Sequence, residues 1–119
     1  MGKVYGIHEL ELNPGVDEQS FVQFFNCELA QAYTEMGWKL ILLKGDRGQR
    51  AGKYGVLFVI ESRATRDRIS PAHNVESEEA RRWEAEHKEQ EAYLTKKWAS
   101  FSPTDLGTHL EYTDYVELD

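Results

Sequence analysis

The sequence predicts an α+β domain in the order strand, helix, strand, strand, helix, strand, and two observations carry that reading. Apolar residues alternate with period two in four segments and recur at spacings of three and four in two others. The first helical segment follows the first extended one and the second precedes the last, which is the βαββαβ order of ferredoxin-like domains. The architecture expected is a four-stranded antiparallel sheet with two helices on one face, over a single domain of residues 1–119.

Val4 to Leu12 is the first strand, with Tyr5 and Ile7 on one face and Leu10 and Leu12 on the other. Asn13-Pro14-Gly15 turns the chain, because Pro presets φ and Gly accepts positive φ. Asp17 then caps a helix running to Met36, and Phe21, Phe24, Phe25, Leu29, Ala32, Tyr33 and Met36 form its apolar face. Gly37 ends it. Trp38 to Lys44 and Tyr54 to Glu61 are the middle strands, joined by a Gly-rich connection from Gly45 to Gly52. Tyr54, Val56, Phe58 and Ile60 oppose Leu57 and Val59, so the third strand is apolar on both faces and belongs in the centre of the sheet. Ser77 caps a second helix reaching Phe101, with Glu78 and Glu79 in its first turn and Lys96 and Lys97 near its end, matching the helix dipole. Its stripe is Ala80, Trp83, His87, Gln90, Leu94, Trp98 and Phe101, and Ser102-Pro103 stops it. His109 to Leu118 is the last strand.

Composition narrows the function classes. The net charge of −7 argues against a nucleic-acid partner, which needs a surplus of Lys and Arg. Cys27 is the single cysteine and has no internal partner, so a reducing cytoplasm is the expected compartment. Met1 to Leu12 carries Glu9 and Glu11 and no continuous apolar stretch, so no signal peptide is expected. Val56 to Ile60, the longest apolar run, is far too short to cross a bilayer. With the helices on one face, the other cannot be wholly polar: the third strand is apolar on both sides, the second sets Leu40 and Leu42 against Ile41 and Leu43, and the first sets Tyr5 and Ile7 against Leu10 and Leu12. A second copy of the same sheet in a two-fold homodimer is the simplest cover for such a patch.

The opening strand Val4-Tyr-Gly-Ile-His-Glu-Leu-Glu-Leu12, the Pro-Gly turn into a Phe-rich helix and the long Trp-containing second helix together resemble the dimeric α+β barrel superfamily. That group includes antibiotic-biosynthesis-type monooxygenases, EthD-like and NIPSNAP-like proteins, and small haem-degrading oxygenases. The likeness covers nearly the whole chain and lies in pattern rather than in a signature motif. It implies a dimer and cofactor-independent oxygenation or isomerisation of an aromatic or quinone-like compound. Through the haem-degrading members it also implies, as an alternative, a helix histidine ligating iron, with His87 beside Trp83 and His8 in the matching places. The Trp-to-His spacing of four is shorter than in that group, and His8 stands where an amide is usual.

The residues themselves offer a few sites. His87 lies on the apolar stripe of the second helix, where an imidazole is either a general base or ligand or else a satisfied core group. Asp114 shares its strand face with Leu110, Tyr112, Val116 and Leu118, so its pKa should rise unless a donor pairs with it; an ion pair with an Arg is the bland alternative. Alternation puts His8 and Glu9 on opposite sides of the first strand, and Tyr112 and Asp114 opposite His109 and Glu111 on the last; only one side of each can line a cavity, and the sequence leaves open which. Trp38, Tyr54 and Trp83, with Tyr5, are candidate aromatic walls. The Gly-rich loop is not a phosphate loop: three residues, not four, separate Gly48 from Gly52-Lys53, and a strand follows. His8, His87 and His109 lack metal-ligand spacing, and no metal is expected. Cys27 has no adjacent cation to lower its pKa and reads as a packing residue. Arg63, Arg66, Arg68, Arg81 and Arg82 cluster before and within the second helix, where nearby glutamates neutralise much of their charge. Three functions follow: a small-molecule enzyme or binding protein using His87 and Asp114, a haem protein using His87, or a dimeric interaction module without catalysis.

Overall fold

A computed structural model describes residues 2–73, 75–104 and 112–118. Four strands, β1 (Val4–Leu10), β2 (Trp38–Lys44), β3 (Tyr54–Ile60) and β4 (Tyr112–Val116), form one antiparallel sheet in the order β2-β3-β1-β4. That arrangement is compatible with a ferredoxin-like fold and puts the doubly apolar β3 inside the sheet, as its sequence demands. His109 and Glu111, expected at the start of the last strand, lie outside the described residues.

The first helical segment forms where expected but is not uniform. Asp17 Oδ2 accepts the Ser20 backbone N–H at 3.1 Å and caps α1 (Glu18–Phe24). A π-helical turn, Phe25–Leu29, then leads into α2 (Ala30–Thr34). Gly37 follows with φ of 82°, a conformation that Gly adopts without Cβ strain.

Two helical expectations need correction. The Arg-rich stretch before the second helix, to which the sequence assigns no element, contains α3 (Arg63–Ile69), capped by Ser62 Oγ, which accepts the Thr65 N–H at 3.1 Å. The second long helix is broken. Ser77 caps α4 (Glu78–Glu86) through the Ala80 N–H as expected, but α5 (Lys88–Phe101) starts afresh after His87, whose φ of −114° and ψ of 32° leave the helical region. The break turns the apolar stripe, so Gln90 is exposed and Glu91 is half-buried in its place.

Alternation on β1 decides the layers. Val4, His8 and Leu10 are buried, while Ile7 and Glu9 are exposed. The buried face joins Leu40, Val56 and Phe58 to Phe21, Phe24, Phe25, Leu29, Leu94 and Trp98 of the helices in one core. The other face keeps its apolar residues in register: Ile7 pairs with Leu57, which pairs with Ile41. No helix among the described residues is long and apolar enough to cross a membrane.

Candidate functional site

The sheet and helix layer is not solid throughout. A cavity of about 300 Å³ opens between them, at the small end of the range for ligand pockets. Its floor is the helix-facing side of the sheet, with Trp38, Phe58, His8, Tyr112 and Asp114; its walls come from α2, α3, α4, α5 and the loop before α4.

Of the candidate residues, His8, Trp38, Trp83, Tyr112 and Asp114 line this cavity. His8, Tyr112 and Asp114 are thus the set that faces inward. Tyr54 does not line it. Its hydroxyl donates to Glu18, which also takes a 2.7 Å ion pair from Lys44, and its ring meets the edge of Phe21 in the packed part of the core. Tyr5 lies on the opposite face and donates to Glu117 at 3.1 Å. His87 is not among the lining residues either. It sits at the junction of α4 and α5, with its ring stacked on Trp83 at 4.0 Å and its Nδ1 2.8 Å from the Trp83 carbonyl oxygen. Nδ1 is thus engaged by backbone, and the ring lies outside the cavity lining. Cys27 is exposed.

His8 lies on β1, between β3 and β4, on the cavity side of the sheet. It is 8% exposed and stacks between Phe58 at 4.4 Å and Tyr112 at 4.8 Å, and His73 extends the stack beyond Tyr112. Burial lowers its pKa, with the nearby charge of Asp114 opposing, so the neutral imidazole is favoured. Gly6 makes room for this pairing, since a Cβ there would lie 2.8 Å from Asp114 Oδ1. Asp114 has the donor that the sequence reading left open: Arg66 Nη1 donates to its Oδ2 at 3.2 Å, while Arg66 Nε bonds Asp67 at 2.9 Å. Asp114 is therefore half of an ion pair, and Arg66 is the cavity's guanidinium.

A second group of acids was not singled out by sequence. Glu76, Glu84 and Glu91 also line the cavity. Desolvation, a hydrogen bond with Glu76 and the charges of Glu76 and Glu91 push Glu84 up to about 7, with Arg81 opposing. Glu91 is raised by desolvation and by Glu76, with His87 opposing. Tyr33 from α2 is pushed up to about 12, first by desolvation and then by the charges of Glu91, Glu84 and Glu76. A carboxyl poised near neutrality beside aromatic walls can hold or release a proton under ordinary conditions.

The signal for these acids was present. Ala80, Glu84, His87, Glu91, Leu94 and Trp98 keep alternating spacings of four and three, so Glu84 and Glu91 share a face with Trp98. The stripe drawn from the sequence passed through Trp83 and Gln90 instead.

Three buried side-chain atoms among the described residues have no hydrogen-bond partner: His8 Nδ1, Trp38 Nε1 and Glu76 Oε2. All three residues line this one cavity. Unpartnered buried polar atoms are few in folded proteins, and here three lie around one cavity. By contrast, the Trp98 indole donates to the Thr104 carbonyl at 2.6 Å. No protein-family model, no curated protein and no solved structure matches the chain.

Proposed function

We propose that this chain is a small-molecule-binding protein of the dimeric α+β barrel kind, acting by proton transfer on an aromatic compound in the cavity between its sheet and helices. The observation that carries the reading is the convergence of the three unpartnered polar atoms on one aromatic-walled cavity. A ligand there would accept from the Trp38 indole, donate to Glu76 and bond His8 Nδ1, while its rings pack against Trp38, Trp83 and Tyr112. Glu84 is the acid–base group best suited to the chemistry, and the Arg66–Asp114 pair fixes the floor beside His8. This role suits isomerisation or cofactor-independent oxygenation, the activities implied by the superfamily likeness.

The dimer rests on the opposite face of the sheet. Ile7, Leu43 and Tyr115 are 48%, 44% and 58% exposed there, flanking half-buried Ile41, Leu57 and Val59. A contiguous apolar surface of this kind is the usual mark of an interface, and pairing two such faces encloses a barrel.

A native mass spectrum of the purified protein tests both parts. The expected species is twice the chain mass, with additional mass from a bound small molecule. A monomer would overturn the barrel. Absence of added mass, together with no change in tryptophan emission on adding phenethylamine, phenethyl alcohol or hydrocinnamate, would overturn the binding reading.

A further inference from the structure

We propose that the cavity selects an organic amine, with a cationic head among Glu76, Glu84 and Glu91 and an aromatic or apolar body against Trp38, Trp83 and Tyr33. This rests on the small-molecule reading above and specifies its ligand class. Among the described residues four carboxyls line the cavity against one guanidinium, and that guanidinium is already engaged by Asp67 and Asp114. An anionic ligand would meet uncompensated like charge, whereas an ammonium or guanidinium head would relieve it.

The independent support is in the floor and walls. His8 is more than nine-tenths buried, and its Nδ1 has no partner. The neutral ring favoured by burial offers a lone pair to an N–H donor. Indole and phenol faces attract cations through their quadrupoles, so acids and aromatic rings act in the same sense. Among the described residues no group of three His, Cys, Asp or Glu is arranged to hold a metal ion, which favours an organic cation over an inorganic one.

Binding should also move a proton. The groups facing Glu84 and Glu91 are Glu76 before α4, Arg81 on α4, His87 at the helix junction and Tyr33 on α2; Arg66, Asp114 and His8 complete the cavity's charged and titratable set. A cation arriving among three acids favours the ionised form of Glu84, so Glu84 releases its proton as the amine binds.

Three probes of one shape and different charge test this: phenethylamine, phenethyl alcohol and hydrocinnamate. Trp38, Trp83 and Trp98 are the chain's three tryptophans and all line the cavity, so intrinsic emission reports occupancy. At pH 8 phenethylamine is expected to bind at least tenfold more tightly than hydrocinnamate, and its affinity should fall as the pH is lowered to 6. Glu84→Gln and Glu91→Gln should each weaken the amine about tenfold without weakening the alcohol. Glu86→Gln, at an exposed position on α4, should leave it unchanged. Equal or tighter binding of the alcohol or the acid would overturn the amine inference while leaving a small-molecule cavity. Amine binding indifferent to both variants would overturn it too. Binding of none of the three would remove both readings.

Discussion

The two ends of the core are built from the same sheet and the same helical layer, yet one is packed and the other hollow. At the packed end Phe21 lies 5.6 Å from Trp98 and 5.5 Å from Phe101, Phe24 stacks on Phe101 at 5.4 Å, and Leu10 and Val56 close the floor. The polar groups there are satisfied: Trp98 donates to Thr104, Ser102 Oγ donates to the Glu11 carbonyl, and the Asn13 side chain donates to the carbonyls of Ala99 and Ser100. At the hollow end Trp38, His8 and Glu76 bury polar atoms without partners. The difference teaches that aromatic content alone does not make a core. The first end combines close packing with the paired polar groups just named, and the second buries unpaired ones, which is the ground for proposing a site there.

Truncation should separate the two ends most sharply. Phe21→Ala removes a fully buried ring and should cost about 3–5 kcal/mol, whereas Trp83→Ala, at the half-buried cavity wall, should cost about 1 kcal/mol. Urea unfolding of the two variants gives the comparison, and equal losses would mean that the cavity end is as tightly packed as the other.

A smaller effect is expected at Gly6. An added Cβ would meet Asp114 Oδ1 at 2.8 Å, so Gly6→Ala should cost about 1–3 kcal/mol by pushing Asp114 from Arg66. Combining it with Asp114→Ala should recover part of that loss in a double-mutant cycle. Strict additivity would show that the close approach of Gly6 and Asp114 does not strain the floor.

The smallest effect is electrostatic. Glu84 ionises near its ordinary value of 4.5 when unfolded and at about 7 when folded. The folded state therefore holds this proton more tightly, and the stability it contributes below pH 4.5 is lost as the pH rises to about 7. Glu91, also raised, acts in the same sense, while His8, lowered from 6.5, contributes stability above that pH that is lost on acidification. Glu84→Gln should raise the melting temperature at pH 8 and flatten its fall between pH 5 and pH 8. An unchanged profile would show that Glu84 titrates as it would in water.

The strands and the first helix were legible because their residues agree at every level. β3 is apolar on both faces and lies inside the sheet; Asp17, Gly37 and Ser77 mark helix ends that the structure uses. The cavity was half legible. Alternation grouped His8 with neither Tyr112 nor Glu111 until the register was known, and β1 pairing with β4 brings His8 opposite Tyr112. The break at His87 was hidden, because spacings of three and four continue through it while the backbone departs from the helix. Glu91 lines the cavity and Gln90 is exposed, so the stripe that spacing drew through Gln90 passed one residue away from the acid that faces inward. α3 was missed because its seven residues carry too little apolar periodicity to register.

The indole N–H resonances of Trp38 and Trp98 give the most direct test of whether the hollow end is a site. Trp98 is already bonded to Thr104, while Trp38 has no protein partner. In a titration followed by proton–nitrogen correlation spectra, the Trp38 indole should shift with at least one of phenethylamine, phenethyl alcohol and hydrocinnamate, and the Trp98 indole, which borders the cavity but is bonded to Thr104, should shift less. A Trp38 signal unmoved by all three, or a Trp98 signal moving as far as Trp38, would contradict the assignment of one end as scaffold and the other as binding site.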